Sequence, residues 1–389
     1  MDNFIFQSPT KFIFGRGTHR TVGSHLAELG AKKVLVLYGG GSVVNSGVLE
    51  EVLASISEAG IEFVSAGGIK PNPISTFVYD AIEGARDENI DFLLAVGGGS
   101  VIDTAKAVAA GLLYDGDFLD FYRGKAVIKQ ALPVGVILTI PAAGSEGSPN
   151  TVITDVDTDV KKGAAAECLR PRFAILNPEL TFTLSAYQSA CGISDMMAHI
   201  FERYFTKTPE NTVTDNMCEG LLLAIKDVAM RVIIDREDYE AEAALMWAGM
   251  LAHNNICGVG RVQDWGSHAL AHSVSAMFDA AHGAALAAIF PAWMKYVLDE
   301  DVEPFARIAN KVWGVPQSGD KKQMALDGIA AYEDFLRSIG MPTRLTQLDV
   351  PADAVPKLAE LAYKLGNKTI GQFKMLTRED AEAVYRLAL

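Results

Sequence analysis

The stretch Phe92-Leu93-Leu94-Ala95-Val96-Gly97-Gly98-Gly99-Ser100-Val101-Ile102-Asp103-Thr104-Ala105-Lys106 joins an apolar run to a glycine triplet and then to a helical pattern that continues to residue 113. A short apolar run that ends in glycine and is followed by a helix is typical of a buried strand in a parallel sheet. The stretch therefore predicts one strand–turn–helix unit, with the glycines at the carboxyl end of the strand.

Similar units lie on both sides of this stretch, so strands alternate with helices through the first half of the chain. Strands are predicted over residues 34–38, 62–64, 133–139, 151–154 and 173–176, and helices over 46–59 and 74–87. This alternation indicates a parallel sheet covered by helices. Residues 4–6 and 11–15 predict a short N-terminal strand pair that could pair with another subunit, which favours a homodimer.

The strand patterns stop near residue 184, and the remaining sequence has only helical patterns. Ser185 and Gln188 have the Ser-x-x-Gln spacing of a helix capping box. The predicted fold is α/β, with an N-terminal Rossmann-like parallel-sheet domain over 1–184 and an all-helical C-terminal domain over 185–389. We expect a cleft between the domains to bring glycine loops and histidines together.

Composition excludes several classes of protein. The chain has 389 residues, 49% of them hydrophobic, and a formal net charge of −14. Such an acidic chain is unsuited to extended contact with nucleic acid or with an anionic membrane. No stretch has the length of a transmembrane helix or the pattern of a signal peptide. We therefore expect a soluble, cytoplasmic protein whose partner is a small molecule.

The sequence has only seven histidines, and three of them, His268, His272 and His282, lie within one short segment. The spacing of His268 and His272 places both on one face of a helix. His282 would lie roughly 21 Å from His268 along a continuous helix. If both bind one ion, the chain must reverse between them, and residues 278–281 offer a place for the turn.

An acid and an imidazole also stand at helical spacing upstream, at Asp195 and His199. With His268 and His282 they would supply one oxygen and three nitrogens. That set suits Fe(II) or Zn(II) and contains too much nitrogen for Mg²⁺ or Ca²⁺. Taken singly, each histidine is more often a core or surface residue than a metal ligand. The repeated pairing is what favours a metal site, with His272 left beside it.

Two glycine loops predict binding of phosphate. Each follows a strand and leads into a helix, where backbone N–H groups can hold an anion. The first loop comprises Gly39, Gly40, Gly41 and Ser42, and the second comprises Gly98, Gly99 and Ser100. One dinucleotide would explain both loops. The first carries no acid to bind the ribose 2′-hydroxyl, which favours NADP over NAD.

These motifs, in this order, resemble the iron-containing alcohol dehydrogenases, in particular their butanol dehydrogenase-like branch. The resemblance extends over nearly the whole chain. It implies that Asp195, His199, His268 and His282 bind iron or zinc and that His272 lies beside the nicotinamide as a proton relay. It also implies contacts to the coenzyme from a further set of residues: Asn72, Gly98, Gly99, Ser100, Asp103, Thr139, Asn150 and Lys162.

The function that follows is reversible, metal-dependent reduction of a small aldehyde such as butanal to its primary alcohol, with hydride from NADPH, and with NADH as the other possible coenzyme. Two alternatives share the architecture: glycerol dehydrogenase-like oxidation of a polyol with NAD, and a dehydroquinate synthase-like lyase. No cluster of Lys and Arg near the histidines is visible for the phosphorylated acid that such a lyase needs. A third alternative is a non-catalytic nucleotide-binding protein with a structural metal.

Overall fold

The computed structural model describes residues 1–364 and 368–389. Its central element is a six-stranded parallel sheet with the order β1-β8-β5-β4-β2-β3. The predicted α/β fold is confirmed. The strands are β1 (Lys11–Phe14), β2 (Lys33–Tyr38), β3 (Glu62–Ala66), β4 (Phe92–Gly97), β5 (Val134–Leu138), β6 (Asn150–Asp155), β7 (Val160–Ala165) and β8 (Phe173–Leu176).

Strand β4 is central and fully buried, which explains its uninterrupted apolar sequence. Successive side chains of a strand point to opposite faces of the sheet. Leu93 and Ala95 accordingly pack in one core cluster, and Leu94 and Val96 pack in the cluster on the other face. Helices cover both faces, as the alternation of strands and helices predicts.

The chain forms fifteen α-helices in the described residues. They are α1 (Val22–Glu28), α2 (Ser42–Asn45), α3 (Val48–Glu58), α4 (Ser75–Ala85), α5 (Gly99–Gly111), α6 (Leu119–Tyr122), α7 (Ala186–Tyr204), α8 (Thr212–Ile234), α9 (Tyr239–His253), α10 (Gly266–Phe278), α11 (His282–Val297), α12 (Glu303–Lys311), α13 (Lys321–Ser338), α14 (Val355–Tyr363) and α15 (Arg378–Ala388). None of the helices in residues 1–364 and 368–389 is both long and apolar enough to cross a membrane.

The structure divides into two compact units. A sheet unit comprises Gln7–Ser185 and Arg236–Met246, and a helical unit comprises Met1–Phe6, Ala186–Asp235 and Trp247–Leu389. The described part of the chain contains no strand after β8, which confirms the predicted change to helices. Aromatic side chains fill the helical unit, and Phe205 contacts Phe201, Trp293, Phe305 and Phe373 there.

The predicted N-terminal strand pair is wrong. Residues 4–6, all of which are described, form no strand, and β1 pairs in parallel with β8 of the same chain. A parallel partner distant in sequence leaves no local signal that could distinguish it from a hairpin. The strand pair therefore no longer supports a homodimer, which stays a prediction.

Strand β7 was not predicted, because its sequence, Val-Lys-Lys-Gly-Ala-Ala, lacks both an apolar run and an apolar–polar alternation. It forms an antiparallel hairpin with β6, apart from the parallel sheet. The predicted strand over residues 151–154 is real, but it belongs to this hairpin.

A buried lysine of α5 holds the loop that follows β5. The Lys106 ammonium donates to the carbonyl oxygens of Ser145 (2.7 Å), Ser148 (2.9 Å) and Asn150 (2.8 Å), and also to Ser145 Oγ. Asp103, one turn earlier, accepts from Ser145 Oγ at 2.7 Å and from the backbone N–H of Val152 at 3.1 Å. Two polar residues of the glycine-triplet helix thus fix residues 145–152.

Glu146 lies in the same loop, and its stability contribution should depend on pH. It is 1% exposed, and burial raises the pKa of its carboxyl from 4.5 to about 7. An acid whose pKa is higher in the folded state stabilises that state at low pH, and the contribution is lost as pH rises through the folded-state value. We expect the free energy of unfolding to fall by up to about 3 kcal/mol between roughly pH 4.5 and pH 8.

Melting temperatures measured by calorimetry across this range would test the prediction. Glu146→Gln should remove most of the fall, whereas Glu83→Gln, an exposed matched control on α4, should leave it unchanged. An equal slope in wild type and Glu146→Gln would show that another group carries the pH dependence.

Candidate metal centre and coenzyme-binding edge

Three of the four predicted metal ligands come together in the helical unit. Asp195 on α7, His268 on α10 and His282 at the start of α11 each offer one ligand atom, and these atoms lie within 4.8 Å of one another. Oδ1 of Asp195 is 3.9 Å from Nε2 of His268 and 3.9 Å from Nε2 of His282. Such distances are too long for hydrogen bonds, but two atoms bound to one ion at about 2.1 Å each can be this far apart.

The donor set fits a metal ion. Oδ1 of Asp195 is buried and accepts no hydrogen bond from any described residue. A buried carboxylate oxygen in that position is costly unless a positive charge faces it. One carboxylate and two imidazoles are ligands that Fe(II) and Zn(II) both accept. The cluster is therefore chemically suited to either ion.

His199 lies next to this cluster and is not one of its three members. Its Nδ1 is 2.8 Å from the carbonyl oxygen of Asp195, an i to i+4 contact within α7, and 3.1 Å from Oδ1 of Asp195. A carbonyl only accepts, so this contact places the proton on Nδ1 and leaves the lone pair on Nε2. The His199 ring centroid is 4.5 Å from that of His268.

The predicted reversal between His268 and His282 is confirmed. Helix α10 ends at Phe278, Asp279 adopts a left-handed backbone with φ of 50°, and α11 begins at His282. Aspartate tolerates this conformation better than most residues. The two histidines therefore meet, with ring centroids 5.4 Å apart.

Glycine is required directly after His282. A Cβ atom on Gly283 would lie 2.0 Å from the carbonyl oxygen of Cys191, so α11 begins in direct contact with the backbone of α7. Ser194 Oγ donates to the carbonyl oxygen of Gly283 at 2.9 Å and fixes the same contact. Cys191 is one turn before Asp195, and this packing sets the distance between Asp195 and His282.

We predict that Gly283→Ala separates these two helices. The added methyl group meets backbone that cannot rotate away, so the change should cost about 3 kcal/mol or more of unfolding free energy. It should also reduce the bound metal measured by elemental analysis. Gly220→Ala on α8 is the matched control, since a Cβ there meets nothing within 4 Å. Equal melting temperature and metal content in the two variants would contradict this explanation.

Glu202, which the sequence motifs did not predict, orients His268. Its Oε1 accepts from Nδ1 of His268 at 2.8 Å and from the His268 backbone N–H at 3.0 Å, while Oε2 accepts from the backbone N–H of Trp265 at 2.7 Å. Burial raises the pKa of Glu202, and these hydrogen bonds oppose the rise. A carboxylate on the far nitrogen holds a histidine ligand in one tautomer. The helical spacing of Asp195, His199 and Glu202 was the available signal.

Arg203 and His253 pack behind His199 and were also missed. Arg203 donates to the carbonyl oxygen of His199 and to Nδ1 of His253, both at 2.8 Å. A guanidinium cannot accept, so Nδ1 of His253 is the acceptor in this contact. The ring centroids of His253 and His199 are 4.3 Å apart, and the guanidinium lies 4.6 Å above the ring of Trp265. Burial lowers the pKa of Arg203 to about 10.

Asp264 supports the start of α10. Its Oδ2 accepts from the backbone N–H of Gly266 at 2.8 Å, and Oδ1 accepts from those of Gln372 (2.6 Å) and Phe373 (2.7 Å). Burial raises the pKa of this carboxyl to about 7. Asp264 therefore fixes both the beginning of α10 and the loop that contains Gln372 and Phe373.

His272 lies one turn after His268, beside the cluster. Its ring centroid is 5.1 Å from that of His282 and 6.4 Å from that of His268. It is half-buried and is not one of the three clustered residues.

Most of the predicted coenzyme residues of the sheet unit lie in loops at the carboxyl ends of its parallel strands. The glycine loops follow β2 and β4, and Thr139 follows β5 and donates its backbone N–H to the Gly97 carbonyl oxygen at 3.1 Å. Ligands of open parallel sheets bind at this edge. Gly98 caps α5, which begins at Gly99, and a Cβ on Gly98 would lie 3.1 Å from the Ile140 side chain.

Both side-chain oxygens of Asp103 accept from protein groups, Ser145 Oγ and the Val152 N–H. A direct contact between Asp103 and the coenzyme stays a prediction.

Lys161, rather than Lys162, shares a face with the other predicted residues of this region. Nζ of Lys161 donates to Oδ1 of Asn72 at 2.8 Å, and Lys161 pairs with Thr154, which is on the same side of β6 as Asn150. Lys162 pairs with the buried Ile153 on the opposite face. Two adjacent lysines cannot be distinguished by their sequence alone. The register of β7, a strand that was not predicted, shows which face of the hairpin each one lies on.

The comparisons with known proteins agree with this geometry. Residues 9–178 match the family model described as "Iron-containing alcohol dehydrogenase", and residues 189–389 match "Fe-containing alcohol dehydrogenase family, C-terminal". The chain is 39% identical to a probable NADH-dependent butanol dehydrogenase 1 of Bacillus subtilis, and 100% of each chain is covered. It is 32% identical to the NADPH-dependent aldehyde reductase YqhD of Escherichia coli, again with 100% of each covered.

A solved structure, the NADH-dependent butanol dehydrogenase A of Thermotoga maritima, superposes with a TM-score of 0.97 at 40% identity and covers 100% of this chain and 99% of its own. The family matches span nearly the whole sequence, and relatives above 30% identity span all of it. The protein therefore belongs to the iron-containing alcohol dehydrogenase family and is an oxidoreductase.

Proposed function

We propose that this protein reversibly reduces a small aldehyde such as butanal to its primary alcohol with a nicotinamide coenzyme. The observation that carries the proposal is the cluster of Asp195, His268 and His282 in a chain of this family. The substrate class is supported by relatives whose names specify butanol or aldehydes. The names of these relatives give no support to the lyase or the non-catalytic alternative.

We assign metal binding to Asp195, His199, His268 and His282. When bound there, Fe(II) or Zn(II) supplies a Lewis acid for the carbonyl oxygen of the substrate. Glu202 holds His268 with its Nε2 toward Asp195, and Arg203 holds the backbone of His199. The donor atoms accept both ions, so availability during loading decides between them.

We assign the coenzyme to the carboxyl edge of the sheet unit, at the residues predicted from the sequence, with Lys161 in place of Lys162. Those residues are Gly39, Gly40, Gly41, Ser42, Asn72, Gly98, Gly99, Ser100, Asp103, Thr139 and Asn150. The preferred coenzyme is NADPH, because residues 38–48 contain no acid that would repel a 2′-phosphate. Relatives named for NADH and for NADPH both occur, so turnover with each coenzyme tests this preference.

The first experiment follows coenzyme absorbance while the purified protein reduces butanal, with NADPH and NADH at equal concentration. We expect turnover in protein loaded with Fe(II) or Zn(II), none after chelation, and recovery when the ion is restored. Asp195→Asn should lose both bound metal and turnover. Metal-loaded protein that oxidises neither coenzyme with any of a panel of aldehydes would refute the proposed function.

His272 is proposed to deliver a proton to the carbonyl oxygen of the substrate as the hydride adds to the carbonyl carbon, which gives the alcohol. Its half-buried position beside His282 supports this role. General acids of this kind contribute about a hundredfold or more to rate. We expect His272→Ala to lower kcat by about that factor, to alter the pH profile of kcat and to leave bound metal unchanged. Loss of metal in His272→Ala would mean that the residue belongs to the ligand set.

A further inference from the structure

Two loops at the carboxyl edge of the sheet unit lie side by side, although they are far apart in sequence. Strands β2 and β3 pair in parallel, with Leu37 opposite Ala66. Beyond the paired residues, the backbone N–H of Gly68 donates to the carbonyl oxygen of Gly39 at 2.9 Å, and that of Ile69 donates to Tyr38 at 3.4 Å. The loop after β3 is therefore hydrogen-bonded to the first glycine loop.

This contact fixes the position of Lys70. A Cβ atom on Gly39 would lie 3.6 Å from the carbonyl oxygen of Ile69, the residue that precedes Lys70. Ile69 is buried, with 4% exposure, and Pro71 restricts the backbone of the residue before it. Lys70 itself is exposed. Its backbone is held beside the glycine loop while its flexible side chain extends into solvent.

Lys70 is also the only charged residue in either loop. Residues 38–48 contain no Asp, Glu, Lys or Arg, and residues 66–76 contain Lys70 alone. No acid lies within ion-pair distance of its ammonium in the described residues 1–364 and 368–389. In a chain of net charge −14, an uncompensated lysine at the ligand-binding edge attracts an anion locally.

The order of the strands indicates which anion it is. Strands β4, β2 and β3 are neighbours in the sheet, in that order and about 5 Å apart. At their carboxyl ends lie the glycine triplet after β4, the first glycine loop after β2 and Lys70 after β3. In doubly wound sheets, a residue in the loop next to the glycine-rich turn binds the adenosine ribose. An acid there selects the free 2′-hydroxyl of NAD, and a basic residue accommodates the 2′-phosphate of NADP.

We propose that Lys70 binds the 2′-phosphate of NADPH and determines the coenzyme specificity of this protein, an inference that rests on the proposed function. Ser42 and the exposed Gly40 and Gly41 offer small hydrogen-bonding groups beside it. The positive charge comes from the loop after β3, which the structure places next to the glycine loop.

Equilibrium binding of NADPH and NADH, measured by protein fluorescence, tests this without catalysis. We expect wild type to bind NADPH more tightly than NADH. Lys70→Gln should weaken NADPH binding by about tenfold, the scale of a charge-assisted hydrogen bond, and leave NADH binding unchanged. Lys70→Arg should keep most of the preference. Lys129→Gln, an exposed lysine that precedes β5 at the opposite edge of the sheet, is the matched control and should change neither affinity.

Competition with adenosine 2′-phosphate and adenosine 5′-phosphate identifies the group that is bound. The 2′-isomer should compete better in wild type, and Lys70→Gln should abolish the difference. Equal loss of both coenzymes in Lys70→Gln, no loss of either, or tighter binding of NADH by wild type would overturn the proposal. Butanal turnover in the same preparations keeps this outcome separate from failure of the proposed function, since an enzyme that prefers NADH would still reduce the aldehyde.

Discussion

The helical unit depends on one buried carboxylate, that of Glu202. It accepts from Ser267 Oγ, from both backbone and ring of His268 and from the backbone of Trp265, and so joins α7 to the first turn of α10. Orphan N–H groups at a helix start need such an acceptor. The same contacts fix the tautomer of His268, so the carboxylate that caps the start of α10 also orients the proposed ligand.

The sheet unit uses a buried cation in the same way. The ammonium of Lys106 accepts no hydrogen bond itself and donates to three carbonyl oxygens of the loop after β5. That loop has no strand partner in the parallel sheet, so side-chain donors satisfy its backbone. Lys106 and Asp103 are part of the glycine-triplet motif, and their contacts show that the motif stabilises the loop after β5, beside the proposed coenzyme-binding edge.

The parts of the fold that the sequence predicted correctly are those with local signals. Apolar runs marked β2, β4 and β5, the first two of them ending in glycine, and helical spacing marked Asp195 with His199 and His268 with His272. Residues that act through tertiary contacts carried no such signal. Arg203 and His253 meet across 50 positions, and the register of β7 alone distinguishes Lys161 from Lys162. The N-terminal strand was misassigned because its partner, β8, lies more than a hundred residues away.

The proposed coenzyme selectivity also depends on a contact between residues distant in sequence. The sequence of the first glycine loop alone indicates an uncharged site, because residues 38–48 contain no charged residue. In a parallel sheet, however, the neighbour of a loop is set by strand order, and the chain that follows β3 hydrogen-bonds to Gly39. The charge that a ligand meets at the end of β2 therefore belongs partly to β3. If Lys70 binds the 2′-phosphate as proposed, replacing this one residue after β3 changes the charge beside the glycine loop without altering the loop itself.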